Sequence, residues 1–156
     1  MGLSFFELLK DHKVDQIGFL YKDVEKQAEK MERMLGLPKF AINPNAKSKV
    51  TYRGEEYEME AKIAISRIMN TQIELIQWLS GECYHKEYLE KYGEGFYHIS
   101  VIVDDLNPYF ELFESLGIEL LQERWIGRQH VVYFDTKDVL GMVIEIQTTE
   151  RRRKKS

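Results

Sequence analysis

Polar residues of the types that bind metal ions occur at matched positions of two similar segments of the chain. Gln16 in the first segment corresponds to His98 in the second, because each lies near the start of an apolar, strand-like stretch. Glu74 and Glu145 likewise occupy the same place in the stretches that close the two segments. An amide, an imidazole and two carboxylates at equivalent positions of a duplicated unit predict one divalent metal ion on a pseudo-twofold axis.

The surroundings of Glu145 favour this interpretation. Val143, Ile144 and Ile146 are typical of a largely buried strand, where an isolated carboxylate costs several kcal/mol. Such a group must be paired, protonated or bound to a metal, whereas the alternative for any single Glu is a strand face exposed to water. The equivalent position of Glu74 favours the metal. This ligand set suits Mn, Co, Ni, Zn or Mg rather than copper, and the metal's identity stays open.

The elements that must position these residues follow from hydrophobic periodicity and turn signals. In the first module, over about 14–78, we expect a strand, a helix that begins after Asp23 and ends at Gly36, a hairpin around Arg53, and a closing strand. The polar stretch 38–49 is predicted to form turns. The predicted ranges are 14–21 and 71–78 for the outer strands, 24–35 for the helix, and 50–52 and 57–66 for the hairpin.

The second module, over about 96–147, repeats this order after a connector at 79–95 with a helical middle. Asp105 is the predicted helix cap. Two βαβββ modules predict an α+β fold with a mixed or antiparallel sheet, in a single domain over 1–150. The basic segment 151–156 is predicted to be a disordered tail. The predicted ranges are 84–92 and 106–116 for helices, and 96–103, 119–125, 130–135 and 142–147 for strands.

Composition excludes several classes of protein. The chain has 156 residues with 44% hydrophobic and 31% charged content, which is typical of a globular domain. A net charge of −4 argues against a nucleic-acid binder, and no window supplies the ~20 apolar residues of a membrane helix. The single Cys83 excludes an internal disulfide framework, so we expect a cytoplasmic protein. The start of the chain, 1–13, is predicted to form an amphipathic helix that packs on the domain.

Three stretches carry a resemblance to a known family. The sequence EYLEKYGEGFYH at 87–98, with VDDL at 103–106 and IELI at 73–76, is similar to methylmalonyl-CoA epimerases of the vicinal oxygen chelate superfamily. That superfamily includes glyoxalase I, extradiol dioxygenases and bleomycin-resistance proteins. The resemblance covers 14–147. It implies that the paired modules curl into a cup and that each provides two metal ligands from its first and last strands.

Carried onto this sequence, the resemblance places the metal ligands at Gln16, Glu74, His98 and Glu145. The epimerases usually have His where Gln16 stands, and the combination found here also resembles some glyoxalase I enzymes. The stretch 125–130 lacks the second glycine-rich turn of the epimerases. The substrate is therefore an acyl-CoA or a thiol hemithioacetal, and the resemblance leaves both open.

The resemblance implies a divalent-metal-dependent epimerase that removes a proton α to a thioester carbonyl, with Glu145 as the base and Glu74 as its symmetric counterpart. The alternatives are a glyoxalase I-like lactoylglutathione lyase and a non-catalytic module that binds a small ligand. Retention of all four ligand residues argues against the last. We expect a homodimer that contacts neither nucleic acid nor membrane.

Residues outside this set carry less weight. His85 and His130 are interpreted as ordinary polar positions. Arg124 and Arg128 are candidates for contact with a phosphate or a carboxylate, although solvated arginines are commoner.

Overall fold

Eight strands and five helices make up the computed structural model, which describes residues 2–149. The strands are β1 Gln16–Leu20, β2 Ala41–Tyr52, β3 Glu55–Ile68, β4 Thr71–Ser80, β5 Gly95–Val103, β6 Leu120–Ile126, β7 Gln129–Phe134 and β8 Val143–Thr148. The helices are α1 Phe5–Leu9, α2 Val24–Leu35, α3 Tyr84–Tyr92, α4 Asn107–Ser115 and α5 Lys137–Leu140. The basic segment 151–156, for which we predict disorder, lies outside the described residues.

All eight strands belong to one closed sheet in the order β1-β4-β3-β2-β6-β7-β8-β5. Each module forms one half, in which its first and last strands pair in parallel, β1 with β4 and β5 with β8. The halves join through antiparallel pairing of β1 with β5 and of β2 with β6. The predicted α+β class and the cup of two βαβββ modules are confirmed. The cup is built within one chain.

The helix after β1 begins and ends where the sequence predicts. The carboxylate of Asp23 accepts a hydrogen bond of 3.0 Å from the backbone N–H of Lys26, and Gly36 ends α2 with φ 66°. The cap predicted for α4 differs. The N-cap residue of α4 is Leu106, and the Asp105 carboxylate instead accepts from the N–H of Asn107.

The turns predicted over 38–49 are wrong, because β2 begins at Ala41. Only Val50, Thr51 and Tyr52 of this strand pair with β6, so its first part has a neighbour on one side alone. Its side chains there are mostly exposed, and the hydrophobic alternation that marks a strand is absent. Pro44 falls within the irregularity between Asn43 and Ala46, where a proline is tolerated.

The barrel interior is apolar at one end and polar at the other. Helix α3 closes the apolar end, where Tyr84 and Tyr88 pack among buried residues of the strands such as Leu20 and Tyr97. The side chain of Gln122 anchors this helix by accepting a hydrogen bond of 2.8 Å from the backbone N–H of Tyr84. Because this end is filled by side chains, the polar end is where a ligand can enter.

Helices α1, α2 and α4 cover the outer face of the sheet. Val24 and Ala28 of α2 pack on the first module, and Tyr109 and Phe113 of α4 pack on the second. The predicted N-terminal helix is confirmed as α1, whose Phe5 ring lies 5.9 Å from that of Phe113. Within residues 2–149 no helix is long and apolar enough to cross a bilayer.

Replacement of Asp23 by alanine tests the cap of α2. Asp23→Ala leaves the N–H of Lys26 without its side-chain acceptor, so we expect the free energy of unfolding to fall by about 1 kcal/mol, measured by urea titration. Lys26→Ala is the matched control, because it keeps the backbone donor in the same turn. Equal losses in the two variants would contradict the assigned cap.

Candidate metal centre

The four predicted ligand residues lie together at the polar end of the barrel. Gln16 and Glu74 come from the adjacent parallel strands β1 and β4, and His98 and Glu145 from the equivalent strands β5 and β8. All four side chains are buried, with exposed fractions of 7%, 8%, 0% and 1% respectively. The register of the sheet, and not a loop, therefore holds them.

Close approach of β1 to the imidazole ring requires a glycine. The strands β1 and β5 place Gly18 opposite His98, and a Cβ added at Gly18 would lie 2.0 Å from the Cε1 atom of that ring. No larger residue leaves room for the ring in this orientation. In the second module Ser100 stands at the position that matches Gly18, so the two halves differ at this point.

One imidazole nitrogen faces the other three candidate ligands. The Nε2 atom of His98 is 2.9 Å from Oε1 of Gln16, 3.9 Å from Oε1 of Glu74 and 3.8 Å from Oε2 of Glu145. The structure thus brings together residues that are far apart in sequence. Their role as metal ligands stays a prediction.

Hydrogen bonds orient the ligands of the first module. The Nε2 atom of Gln16 donates to Oε1 of Gln72 at 2.6 Å and to Oε2 of Glu74 at 3.3 Å. With its NH₂ group committed to these acceptors, the amide turns its oxygen toward His98.

The second module orients its carboxylate differently. The hydroxyl of Ser100 donates to Oε1 of Glu145 at 2.8 Å, and the amide of Gln147 donates to that hydroxyl at 2.7 Å and also to the same carboxylate oxygen. Period-two alternation along the sequence places Ser100 on the strand face of His98 and Gln147 on that of Glu145, but it assigns neither residue an orienting role.

Burial and mutual repulsion control the charges of the site. Removal from water, followed by the negative charge of Glu145, raises the pKa of Glu74 to about 7, although Arg124 and the Gln16 hydrogen bond oppose the rise. Burial also lowers the pKa of His98, against the opposing effect of Glu145. The imidazole is therefore neutral near pH 7, which is the form that binds a metal.

The donor atoms fit a divalent cation. Within residues 2–149 no three His, Cys, Asp or Glu side chains stand close enough together to hold a metal ion as they are placed, so binding would need small movements of the candidate ligands. The donor types, one amide oxygen, one imidazole nitrogen and two carboxylates, are those that divalent ions such as Mn, Co, Ni, Zn or Mg take. The oxygens lie 2.9 to 3.9 Å from His98 Nε2. A cation would also relieve the repulsion between the two buried carboxylates.

The site opens into a cavity of about 340 Å³. Its lining residues are Gln16, Gln72, Glu74, Ile102, Arg124, Ile126, Gln129, Val131, Glu145 and Gln147. Ile102 and Ile126 of this lining are exposed and mark the side that faces solvent. Arg124 carries the positive charge of the lining.

An aromatic layer separates the polar site from the apolar end of the barrel. The rings of Tyr97 and Tyr133 stack 5.9 Å apart, and the His98 ring meets both edge-on. His85, interpreted from sequence as an ordinary polar position, is buried on the same two rings and pairs with the Tyr97 hydroxyl at 2.9 Å. This layer fixes the orientation of the His98 ring and keeps water away from one side of the site.

The other histidine given little weight lies outside the barrel. His130 stacks on Trp125 at 4.0 Å and pairs with Glu123 at 3.1 Å. Together with Arg128 it lines a separate cavity.

Comparison with known proteins agrees with this architecture. A structure of a hypothetical protein from Bacillus halodurans C-125 is similar with a TM-score of 0.65 and 18% identity, over 91% of this chain and 97% of the other. Methylmalonyl-CoA epimerase from Mycobacterium tuberculosis gives 0.60 and 21%, over 88% of each chain. A Streptomyces coelicolor methylmalonyl-CoA epimerase variant in complex with 2-nitronate-propionyl-CoA gives 0.60 and 16%, over 89% and 98%. At these identities the likeness concerns the fold.

No curated protein matches the chain. The family model described as the Glyoxalase/Bleomycin resistance protein/Dioxygenase superfamily matches residues 15–134, which is most of the chain and includes parts of both modules. The chain therefore belongs to the glyoxalase/bleomycin resistance protein/dioxygenase superfamily.

Proposed function

We propose that the protein is a divalent-metal-dependent epimerase that removes a proton from the carbon α to the thioester carbonyl of an acyl-CoA such as methylmalonyl-CoA. The observation that carries this proposal is the convergence of two buried carboxylates, Glu74 and Glu145, on one imidazole nitrogen of His98. The carboxylates come from equivalent strands of the two modules. Epimerisation needs a proton removed from one face of a carbon and returned to the other, and two carboxylates from the two halves of the barrel suit that exchange.

In this mechanism Glu145 accepts the α-proton of one epimer and Glu74 returns a proton to the opposite face, with the roles exchanged for the other epimer. Ser100 and Gln147 hold the carboxylate of Glu145 in place. A divalent ion held by the four candidate ligands would supply Lewis-acid stabilisation of the charge that develops on the carbonyl oxygen.

The structural neighbours support the substrate class. Several are methylmalonyl-CoA epimerases, and one of these was solved in complex with methylmalonyl-CoA and NH4+. The cavity beside Glu74 and Glu145 opens to solvent, so the long CoA portion of such a substrate would extend outward while its acyl group enters.

Gln16 favours a second candidate, a glyoxalase I-like lyase. In that reaction a proton moves between adjacent carbons of a thiol hemithioacetal, and the same carboxylates and ligand set would serve. A third candidate is a module that binds a small ligand without catalysis. Two buried carboxylates oriented by hydrogen bonds weigh against it, because their burial costs stability that simple binding does not require. The predicted homodimer and cytoplasmic location stay predictions.

Loss of the proposed base is tested by isotope exchange. Glu145→Gln should lower the rate of deuterium uptake from solvent into methylmalonyl-CoA by roughly 10²- to 10⁴-fold, because an amide cannot accept the proton. Glu123→Gln, which alters a carboxylate outside the barrel, is the control and should keep the wild-type rate. Full-rate exchange by the Glu145 variant would rule out its role as base. Turnover of methylglyoxal with a thiol, without this exchange, would select the lyase.

Metal binding is tested at the glycine that makes room for the imidazole. Gly18→Ala should displace the His98 ring and reduce the metal content of the purified protein from near one divalent ion per chain to near none. Elemental analysis after dialysis measures this content, and circular dichroism checks that the variant is folded. His130→Ala is the control, because this histidine lies outside the site. Unchanged metal content in Gly18→Ala would contradict the proposed ligand set.

The stability of the metal-free protein should depend on pH. The folded state keeps a proton on Glu74 up to pH about 7, whereas an ordinary Glu with a pKa of 4.5 loses it earlier. Between these values Glu74 holds more of its proton in the folded state, so this carboxyl contributes a fall of roughly 3 kcal/mol in the free energy of unfolding as pH rises through the window. The buried His85 and His98, whose pKa values burial lowers, contribute in the opposite direction, so the Glu74 contribution is measured as the difference between wild-type protein and a Glu74 variant.

Urea titrations in the presence of a chelator measure this change. Glu74→Gln should remove the contribution of this carboxyl between pH 4.5 and 7, and Glu123→Gln should preserve it. A metal-free wild-type protein whose stability changes across the window in the same way as that of the Glu74 variant would show that Glu74 is ionised throughout.

A further inference from the structure

Arg124 occupies a position that the proposed mechanism does not use. It lies on β6 opposite Val50 of β2 and Val131 of β7, and its side chain lines the same cavity as Glu74 and Glu145. The opening of this cavity is marked by exposed Ile126 on the same strand. Arg124 therefore shares one solvent-accessible cavity with the carboxylate pair.

The guanidinium of Arg124 is poorly satisfied. Its Nε atom is buried without a hydrogen-bond partner in the described chain, and its Nη1 atom makes one long hydrogen bond of 3.4 Å to the hydroxyl of Ser48. Among residues 2–149 it forms no ion pair, although it feels the charges of Glu74 and Glu145 at longer range. A partly buried charge without a partner is costly, and a ligand that supplies the partner recovers that cost.

The charge balance indicates what the partner is. The two carboxylates of Glu74 and Glu145 would be neutralised by one divalent ion, and Arg124 then leaves one positive charge in excess in the cavity. A single carboxylate on the substrate balances that charge. The planar guanidinium can hold a carboxylate through two parallel hydrogen bonds, which gives geometric selectivity as well as attraction.

We propose that Arg124 determines specificity by pairing with a free carboxylate on the carbon whose proton is exchanged. The substrates it selects are acyl thioesters of the malonyl type, and thioesters whose carboxylate is replaced by a methyl group bind weakly. This assignment rests on the proposed function for the reacting carbon. Its effect is on binding, so it can be measured without turnover.

Calorimetry with two ligands of similar shape tests the assignment. Methylmalonyl-CoA and isobutyryl-CoA differ by a carboxylate in place of a methyl group. We expect wild-type protein to bind methylmalonyl-CoA more tightly, and Arg124→Met to weaken that binding by roughly 10- to 100-fold while leaving isobutyryl-CoA unchanged. Arg124→Lys keeps the charge but not the two-pronged geometry, so it should restore part of the preference. Arg33→Met, on the exposed surface of α2, is the matched control.

Metal content and deuterium exchange separate the outcomes. Arg124→Met should retain its metal, because loss of the guanidinium removes a positive charge that would repel a metal ion bound to the carboxylates. If Arg124→Met weakens the binding of both ligands equally, or of neither, the assignment is overturned. The proposed function still stands in that case if the wild-type protein exchanges the α-proton. If wild-type protein does not exchange it, the proposed function fails. The ratio of the two affinities then decides the assignment. If the protein shows no preference for the carboxylate ligand that depends on Arg124, the assignment is overturned.

Discussion

Repulsion between two buried carboxylates is the constraint around which this barrel is arranged. Glu74 and Glu145 face the same nitrogen of His98, and neither reaches a compensating ion pair with Arg124. Such an arrangement costs folding free energy, which must be offset elsewhere. The apolar end of the barrel, closed by the tyrosines of α3, and the outer faces under α2 and α4 provide that offset. Burial, followed by the negative charge of Glu145, raises the pKa of Glu74 to about 7, so proton uptake relieves this cost, and a bound cation would relieve it without a proton.

The duplicated architecture places the carboxylates symmetrically but surrounds them differently. Glu145 accepts hydrogen bonds from Ser100 and Gln147, whereas Glu74 accepts one long hydrogen bond from Gln16. The difference originates at Gly18, which has no side chain and therefore leaves room for the His98 ring beside β1. An epimerase handles two mirror-related faces of one carbon, and it needs opposed proton carriers more than identical ones. Divergence of the orienting residues is therefore compatible with the proposed exchange.

Local patterns predicted the modules and the positions of the candidate ligands, because strand alternation and helix caps are recorded in neighbouring residues. The start of β2 was missed because its first part is an edge with exposed polar side chains, where alternation carries no signal. His85 was underrated because its burial depends on Tyr97 and Tyr133, which reach it only after the barrel closes. The importance of Arg124 was equally hidden, since its place in the cavity depends on the long-range pairing of β6 with β2.

The closed end of the barrel also determines how a substrate must enter. Tyr97, Tyr133 and His98 form a dry layer beneath the carboxylates, so the solvent side near Ile126 is the route that remains. An anionic acyl group that arrives from that side meets Arg124 on its way to the carboxylate pair. The attraction of that cation offsets the repulsion that Glu74 and Glu145 exert on any negatively charged ligand, and low local polarity strengthens both effects. A neutral acyl group feels neither effect, so under the proposed role of Arg124 this cation would favour a malonyl-type thioester and give no advantage to its uncharged analogue.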